Sequence, residues 1–221
     1  MSALCIMEKI KTQHLAINLD KRKDRLDGLK KEVQKIGFDK LNRFPAVEHS
    51  EGLIGCGYSH LGCVQKAKEL GWDCVLILED DVLFPEPKLL QDFVNKYYHT
   101  DFDVMFLGAH IYDGEAQSSA DEIIRVLKST CLHAYIVKSH YYDKLIANFS
   151  EGLQRKIIEK PSDVFSTYNV DVYISKVQYY DHWIAPMKCL ATQKEGWSDN
   201  FNRSYDHGHF KNHFHPIFKK T

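Results

Sequence analysis

Val75-Leu-Ile-Leu-Glu79-Asp80-Asp81 joins an apolar run directly to three acidic residues, which we call the acidic triplet. The apolar part predicts a buried strand over residues 73–78. Open α/β sheets bind their ligands at the carboxyl ends of such strands. Three carboxylates there repel one another and lose hydration unless a cation or hydrogen-bond donors face them. The stretch therefore predicts a ligand site at the end of this strand.

The spacing within the acidic triplet favours a bound metal ion. In an extended chain, Glu79 and Asp81 project to one side and Asp80 to the other. One pair can then hold a divalent cation while Asp80 meets a second ligand group. Ligation by oxygen alone suits Mn²⁺ or Mg²⁺, which bind carboxylates together with substrate phosphates. An acidic turn without a metal is the alternative, but direct attachment to a buried strand favours the metal.

The rest of the sequence alternates short apolar runs with helical periodicity, which predicts an α/β fold. Strands are predicted over residues 14–19, 73–78, 104–107, 123–127, 132–137, 183–185 and 187–191. Helices are predicted over residues 26–36, from Ser59 as N-cap to Gly71, over residues 89–97, from Ser139 to Phe149, and from Asp171 onward. We expect one domain over residues 1–200 and a His-rich tail over residues 201–221.

Composition limits the function classes. The chain has 221 residues, of which 44% are hydrophobic, and this excludes intrinsic disorder and collagen-like repeats. Lys and Arg number 29 against 30 Asp and Glu, a balance that argues against a nucleic-acid partner.

Cysteine spacing and the length of the apolar runs indicate in which cellular compartment the protein is expected. The six cysteines form no CxxC pair, so we expect a reduced compartment and no zinc site. The first residues, MSALCIMEKIKTQ, lack an apolar run long enough for a signal peptide, and the run over residues 75–78 cannot span a bilayer. We therefore expect a soluble cytoplasmic protein without a transmembrane segment.

Two further segments have ligand-binding character. Ile17-Asn-Leu-Asp20-Lys-Arg22-Lys-Asp-Arg25, the basic loop, follows the first predicted strand and can offer guanidinium groups and backbone N–H groups to a nucleoside diphosphate. A solvated helix start is its alternative. Gly55-Cys-Gly57-Tyr-Ser59-His60 can let a ligand approach the backbone, or it can be a tight turn before the helix that Ser59 caps. It is not a Walker loop.

Several short motifs follow one another in a specific order. They are Ile17-Asn-Leu, Arg22, Asp24-Arg25, Pro45-Ala-Val47, Gly55-Cys56, Ser59-His60, Leu78-Glu-Asp-Asp-Val82, His133-Ala-Tyr135, Val170-Asp171-Val-Tyr173, Pro186, Gln193 and Ser198-Asp199. In this order, from about residue 14 to 200, the sequence resembles glycosyltransferase family 25. That family includes bacterial lipooligosaccharide galactosyltransferases and the collagen galactosyltransferases.

The resemblance implies a GT-A-type nucleotide-diphospho-sugar transferase fold with a mixed, mainly parallel sheet flanked by helices. It also implies a metal-dependent, inverting hexosyltransferase. The expected donor is a UDP-sugar, with galactose as the sugar, and the expected acceptor is a glycan or a hydroxylated, hydroxylysine-type side chain. The acidic triplet then resembles the family's DxD-type motif, with Asp81 and Glu79 as metal ligands and Asp80 or Glu79 on the ribose.

The resemblance also assigns roles outside the acidic triplet. The nucleotide-binding residues would be Asn18, Leu19, Arg22 and Arg25. Asp171 is the expected catalytic base, although an aspartate at a helix start is often only an N-cap, and Asp199 is the rival base or a further metal ligand.

The histidines and Ser59 have weaker assignments. Ser59, His60 and His133 are expected near the donor or acceptor sugar, with a satisfied buried histidine as the alternative for His133. His207 in the tail is a candidate metal ligand together with His209, His213 and His215, and a solvated, mobile tail is the alternative.

Two other functions remain open. A catalytically silent GT-A domain would bind nucleotide-sugar or glycan without turnover. A metal-dependent phosphodiesterase or nucleotidyltransferase would need a second carboxylate cluster for a two-metal site, and the sequence shows none with suitable spacing.

Overall fold

The computed structural model describes residues 6–116, 122–161, 166–200 and 203–205. The helices are α1 (Ile6–Thr12), α2 (Lys23–Lys35), α3 (Gly52–Glu69), α4 (Pro87–Tyr97), α5 (Tyr142–Glu159), α6 (Val170–Tyr173) and α7 (Ser175–Gln178). The strands are β1 (His14–Asn18), β2 (Arg43–Pro45), β3 (Cys74–Glu79), β4 (Val82–Leu83), β5 (Val104–Ala116), β6 (Ile123–Lys138), β7 (Trp183–Pro186), β8 (Thr192–Gln193), β9 (Gly196–Ser198) and β10 (Arg203–Tyr205). Within these ranges, no helix has the length and apolar content needed to cross a membrane.

A six-stranded sheet in the order β2-β1-β3-β6-β5-β7 forms the centre of the fold. β1 runs parallel to both β2 and β3, and β5 runs parallel to β7. β6 is antiparallel to β3, β5 and β7, so it alone in this sheet opposes the common strand direction. The predicted mixed, mainly parallel sheet flanked by helices is therefore confirmed.

Both faces of the sheet are covered, and this explains why the apolar run of β3 is continuous. Leu76 and Leu78 belong to the core that contains residues of α1, α2 and α4. Val75 and Ile77 belong to the core on the other face, with residues of α3 and α5. Each of these buried side chains stabilises the fold by roughly 1.5–3 kcal/mol. The strand is thus fixed from both sides, and Glu79 lies at its carboxyl end.

The start of α3 differs from the prediction. The helix begins at Gly52, so Ser59 lies inside it and is not its N-cap. The glycines of this segment serve helix packing instead of a tight turn. A Cβ on Gly55 would lie 2.4 Å from the carbonyl oxygen of Val47, and one on Gly57 would lie 2.7 Å from a leucine side chain of α5.

Two predictions about strands are also wrong. Residues 187–191 form no strand, because the backbone N–H groups of Leu190 and Ala191 both bond to the Leu107 carbonyl and so do not form a ladder. The predicted strands over residues 123–127 and 132–137 are one strand, β6, whose polar middle still pairs with β5. Cys131 in β6 has a φ of 70°, in the left-handed region.

The last described segment returns over the carboxyl ends of the central strands. β8 pairs with β4, directly after the acidic triplet, and the Lys194 N–H bonds to the Asp81 carbonyl at 2.7 Å. The turn at residues 199–200 packs on the start of α3, where a Cβ on Gly52 would lie 2.8 Å from the Asn200 Cα. β9 pairs with β10. The domain boundary at residue 200 stays a prediction.

Candidate active site

The acidic triplet lies at the carboxyl end of β3, as predicted. The side chains of Glu79, Asp80 and Asp81 are 22%, 11% and 13% exposed. Gln193 of β8 contacts two of them, with its Nε2 3.5 Å from Glu79 Oε2 and 3.4 Å from Asp81 Oδ1. Asn18 donates to Asp80 instead. Asp80 and Asp81 lie in a turn, so the extended geometry assumed for the acidic triplet ends at Glu79, and the assignment of Glu79 and Asp81 as a metal-binding pair stays a prediction.

Arg25 in the basic loop supplies positive charge to the acidic triplet. Its Nη1 lies 2.8 Å from Asp80 Oδ1 and 3.3 Å from Asp81 Oδ2, and its Nη2 donates to the Trp197 carbonyl. Burial raises the pKa of Asp81 to about 7, the charge of Glu79 adds to this shift, and Arg25 opposes it. Burial also raises the pKa of Asp80. A single guanidinium shared by two carboxylates leaves negative charge uncompensated.

His60 orients Glu79. The ring is fully buried in α3, with Nε2 3.2 Å from Glu79 Oε1 and Nδ1 3.0 Å from the Tyr135 hydroxyl. Burial opposes ionisation of Glu79, but the hydrogen bond and charge of His60 outweigh it, so the pKa of Glu79 is lowered. Glu79 therefore stays ionised. Its orientation is fixed from α3 and β6 together.

Asn18, at the end of β1, links the basic loop to the acidic triplet. Its Nδ2 lies 2.7 Å from Asp80 Oδ2 and 3.0 Å from the Arg22 carbonyl. Arg43 of β2 donates through Nε to Asn18 Oδ1 at 3.0 Å. Sequence reasoning missed Arg43, because no motif contains it and only the pairing of β1 with β2 brings it here. Leu19 follows and is half-buried.

Arg22 and Asp199 form an ion pair beside this loop. Arg22 Nη1 lies 2.5 Å from Asp199 Oδ2, and the same guanidinium bonds to Asp24 through Nε and Nη2 at 3.0 Å. The structure thus brings Asp199 to the basic loop, as a partner of a predicted nucleotide-binding residue. Its role as a base or metal ligand stays a prediction.

Asp171 lies near the acidic triplet from another element, α6. Its Oδ2 accepts a hydrogen bond from the Cys131 N–H at 3.4 Å. Burial raises the pKa of Asp171, and the negative charge of Glu79 raises it further. This electrostatic interaction shows that the two carboxylates are close in space. The role of Asp171 as the base of a site shared with the expected metal ligands stays a prediction.

Ser59 and His133 are buried and bonded to the backbone. Ser59 Oγ donates to the Gly55 carbonyl at 2.7 Å and accepts from the Val47 N–H at 2.8 Å. Burial lowers the pKa of His133, so the neutral ring donates from Nε2 to the Ala191 carbonyl at 3.0 Å. Its buried Nδ1 has no hydrogen-bond partner among the described residues. Contacts of either residue with a sugar stay predictions.

The tail histidines His207, His209, His213 and His215 lie outside the described residues. Among the residues described, Glu79 and Asp81 each have an oxygen in contact with the same side chain, Gln193, so these two oxygens lie on one side of the acidic triplet. Carboxylate oxygens are the ligands that a hard divalent cation prefers. The uncompensated charge of the acidic triplet also fits a cation. Mn²⁺ or Mg²⁺ at Glu79 and Asp81 is therefore compatible with the donor set.

Comparison with known families places this site in context. The model of a family described as glycosyltransferase family 25 (LPS biosynthesis protein) matches residues 40–160, just over half of the chain. The chain belongs to glycosyltransferase family 25. The matched range of this glycosyltransferase holds α3, the acidic triplet and His133. None of the curated proteins compared with it matches.

Solved structures similar to this family-25 glycosyltransferase have low sequence identity. A197 from STIV is 12% identical over 87% of this chain and 92% of that chain, with a TM-score of 0.49. A glycosyltransferase involved in the glycosylation of the major capsid of PBCV-1 is 12% identical over 79% and 92%, with a TM-score of 0.43. A putative glucose-1-phosphate thymidylyltransferase from Bacillus anthracis is 11% identical over 81% and 69%, with a TM-score of 0.43. The GT-A-type α/β fold expected for the family agrees with the strand order of the chain itself.

Proposed function

We propose that this family-25 glycosyltransferase moves a sugar, with galactose as the expected one, from a UDP-sugar to a glycan or a hydroxylysine-type acceptor. The reaction would proceed with inversion and would depend on Mn²⁺ or Mg²⁺. The observation that supports this proposal is the acidic triplet, in which Asp80 and Asp81 share the single guanidinium of Arg25 and Glu79, among the described residues, faces only the His60 ring and Gln193. Buried charge of this kind requires compensation. A divalent cation held by Glu79 and Asp81 would supply it.

The metal would be held by Glu79 and Asp81. When bound, a divalent cation stabilises the charge that develops on a departing diphosphate. His60 keeps the Glu79 carboxylate oriented from one side, and Gln193 contacts both carboxylates from the other. In this proposal the two ligands are therefore preorganised by α3 and β8.

The nucleotide would lie against the basic loop. Asp80 is held by Asn18 and Arg25, which leaves its carboxylate in a fixed position to accept a hydrogen bond from the ribose. Arg22 and Arg25 offer guanidinium groups, which bind phosphate oxygens with fixed geometry. Leu19 connects the strand to this loop.

Asp171 would act as the base. It accepts the proton of the acceptor hydroxyl while that oxygen forms a bond to the anomeric carbon. The bond from this carbon to the diphosphate oxygen breaks, and its electron pair leaves with UDP. One such step inverts the configuration and forms no covalent sugar–enzyme intermediate. The raised pKa of Asp171 improves its fit to the role, because a base works best when its pKa approaches the working pH.

The test is Mn²⁺-dependent release of UDP from a panel of UDP-sugars, with and without acceptors. We expect Asp171→Asn to lower kcat by about 100-fold or more and to change the affinity for UDP little. Asp39→Asn, at an exposed position, is the matched control. A variant of Asp171 that loses only nucleotide binding would remove the residue from the base role.

Chelation separates the remaining possibilities. Excess chelator should abolish UDP binding, and unchanged affinity would contradict a cation that bridges protein and diphosphate. UDP binding with Mn²⁺ but no release from any donor would support the silent binding domain instead.

A further inference from the structure

Three potential metal ligands of different chemical types meet beside the acidic triplet. One donor atom each of Cys56, His60 and Glu79 lies within 4.8 Å of the other two. Cys56 and His60 are four residues apart in α3, so their side chains share one face of the helix. That face is directed at the carboxyl end of β3, because His60 Nε2 reaches Glu79.

We propose that Cys56, His60 and Glu79 form a site for a thiophilic divalent cation, with Zn²⁺ as the representative ion. Sulfur, imidazole nitrogen and carboxylate oxygen are the three ligand types that zinc uses in proteins, and three protein ligands leave a fourth position open. A set with sulfur and nitrogen selects against Mn²⁺ and Mg²⁺, which prefer oxygen. The site therefore differs in chemistry from the oxygen pair of Glu79 and Asp81.

The surroundings of His60 support ligation through Nε2. The Tyr135 hydroxyl, 3.0 Å from Nδ1, can accept a hydrogen bond from an Nδ1–H group. This tautomer leaves the Nε2 lone pair directed at Glu79, where the ion would sit. Metal-ligating histidines are commonly fixed through their second nitrogen in this way. The ion would take the place of the direct contact between Nε2 and Glu79 Oε1.

Negative charge near Cys56 favours a cation. Burial raises the pKa of the Cys56 thiol, and the charges of Glu79, Asp171 and Asp81 raise it further, so the thiol would lose its proton only as the cation binds. The prediction of no zinc site considers only Cys–Cys pairs, whereas this set combines one helix with one strand end. Because Glu79 belongs to both sets, Zn²⁺ here would compete with Mn²⁺, a consequence that rests on the proposed function.

Cobalt gives a direct measurement, since a Co²⁺–thiolate bond produces a charge-transfer absorption that oxygen ligands do not. Metal-free protein, without UDP or Mn²⁺, is titrated with Co²⁺, and Zn²⁺ is then added to displace it. We expect one equivalent of Co²⁺ to produce the thiolate band and Zn²⁺ to remove it. Absence of the band in the wild-type protein would overturn the proposal.

Variants identify the ligands. Cys56→Ser should abolish the band and weaken Zn²⁺ binding by at least about 100-fold, because loss of an outer-shell partner alone costs about 10–100-fold. Cys189→Ser, at another half-buried free cysteine, is the matched control and should retain both. A band that persists in Cys56→Ser would overturn the proposal.

Asp81→Asn separates this site from the proposed function. We expect this variant to keep the Co²⁺–thiolate band while it loses Mn²⁺-dependent binding of UDP. If the band is absent in every protein but UDP binding still depends on Mn²⁺, the zinc proposal fails and the proposed function stands. If the band is present but UDP binding does not depend on Mn²⁺, the zinc proposal stands and the proposed function fails.

Discussion

Replacement of Asp81 by asparagine should change stability and binding in opposite directions. The substitution keeps the shape of the side chain and removes one charge from the buried acidic triplet. Without metal, we expect the variant to be more stable than the wild-type protein at about pH 8, and by a smaller margin at about pH 5. At the same time, Mn²⁺-dependent binding of UDP should be lost. A residue kept for folding alone would not show this combination.

The magnitude follows from the pKa of Asp81, which rises from 3.8 to about 7 through burial and the charge of Glu79. Between pH 3.8 and about pH 7, Asp81 is protonated in the folded chain and ionised in the unfolded chain. The stability of the wild-type protein therefore falls as the pH rises through this range, and the stability levels off above about pH 7. Three pH units correspond to about 4 kcal/mol as an upper bound. The value of about 7 already includes the opposing effect of Arg25, and partial hydration of the side chain reduces the upper bound, so we expect a net gain of about 1–3 kcal/mol at pH 8.

The assay is urea unfolding in excess chelator at both pH values. Asp39→Asn, at an exposed position, controls for the general effect of removing a carboxylate. The reasoning is refuted if Asp81→Asn is less stable than the wild-type protein at pH 8. It is also refuted if the difference between the two proteins is the same at both pH values.

Further substitutions and one titration probe other contacts. Gly108→Ala would place a Cβ 1.9 Å from the Ala191 carbonyl oxygen, so it should lower the free energy of unfolding by about 1–3 kcal/mol or more in urea. At Gly28 in α2, an added Cβ would meet nothing within 4 Å, so Gly28→Ala should raise the free energy of unfolding by about 0.5–1 kcal/mol. Equal effects of Gly108→Ala and Gly28→Ala would contradict the packing argument. Arg25→Met should weaken UDP binding about 10-fold in calorimetry, and an unchanged affinity would remove Arg25 from the nucleotide site. The affinity for Mn²⁺ should rise with pH and level off above about 7, as Asp81 loses its proton, whereas a flat pH profile would exclude Asp81 as a ligand.

The parts of the fold that the sequence predicts are those specified by neighbouring residues. β3 and the acidic triplet form one local pattern, because an apolar strand buried on both faces runs directly into charge. The start of α3 was misplaced because Gly55 and Ser59 carry the signals of a turn and an N-cap. Their partner, Val47, lies on the chain segment before the helix, so its effect on them becomes visible only once the chain is folded.

Contacts between distant segments could not be predicted from local patterns. Arg43 reaches Asn18 only because β2 pairs with β1, and no spacing rule joins positions on separate strands. Residues 187–191 are apolar enough for a strand, yet Leu190 and Ala191 enter the core from an irregular segment. Met187 and Lys188 are exposed, so only the end of this segment contributes to the core.

The hydrogen bonds of Arg25 have a consequence for how a metal ion would enter the proposed site. This guanidinium contacts one oxygen of a proposed ligand, Asp81 Oδ2, and one oxygen of Asp80. An ion held by Glu79 and Asp81 would compete with the arginine for Asp81 alone, and the contact with Asp80 would persist. Arg25 would then change from a counter-ion of two carboxylates into a hinge between Asp80 and the nucleotide.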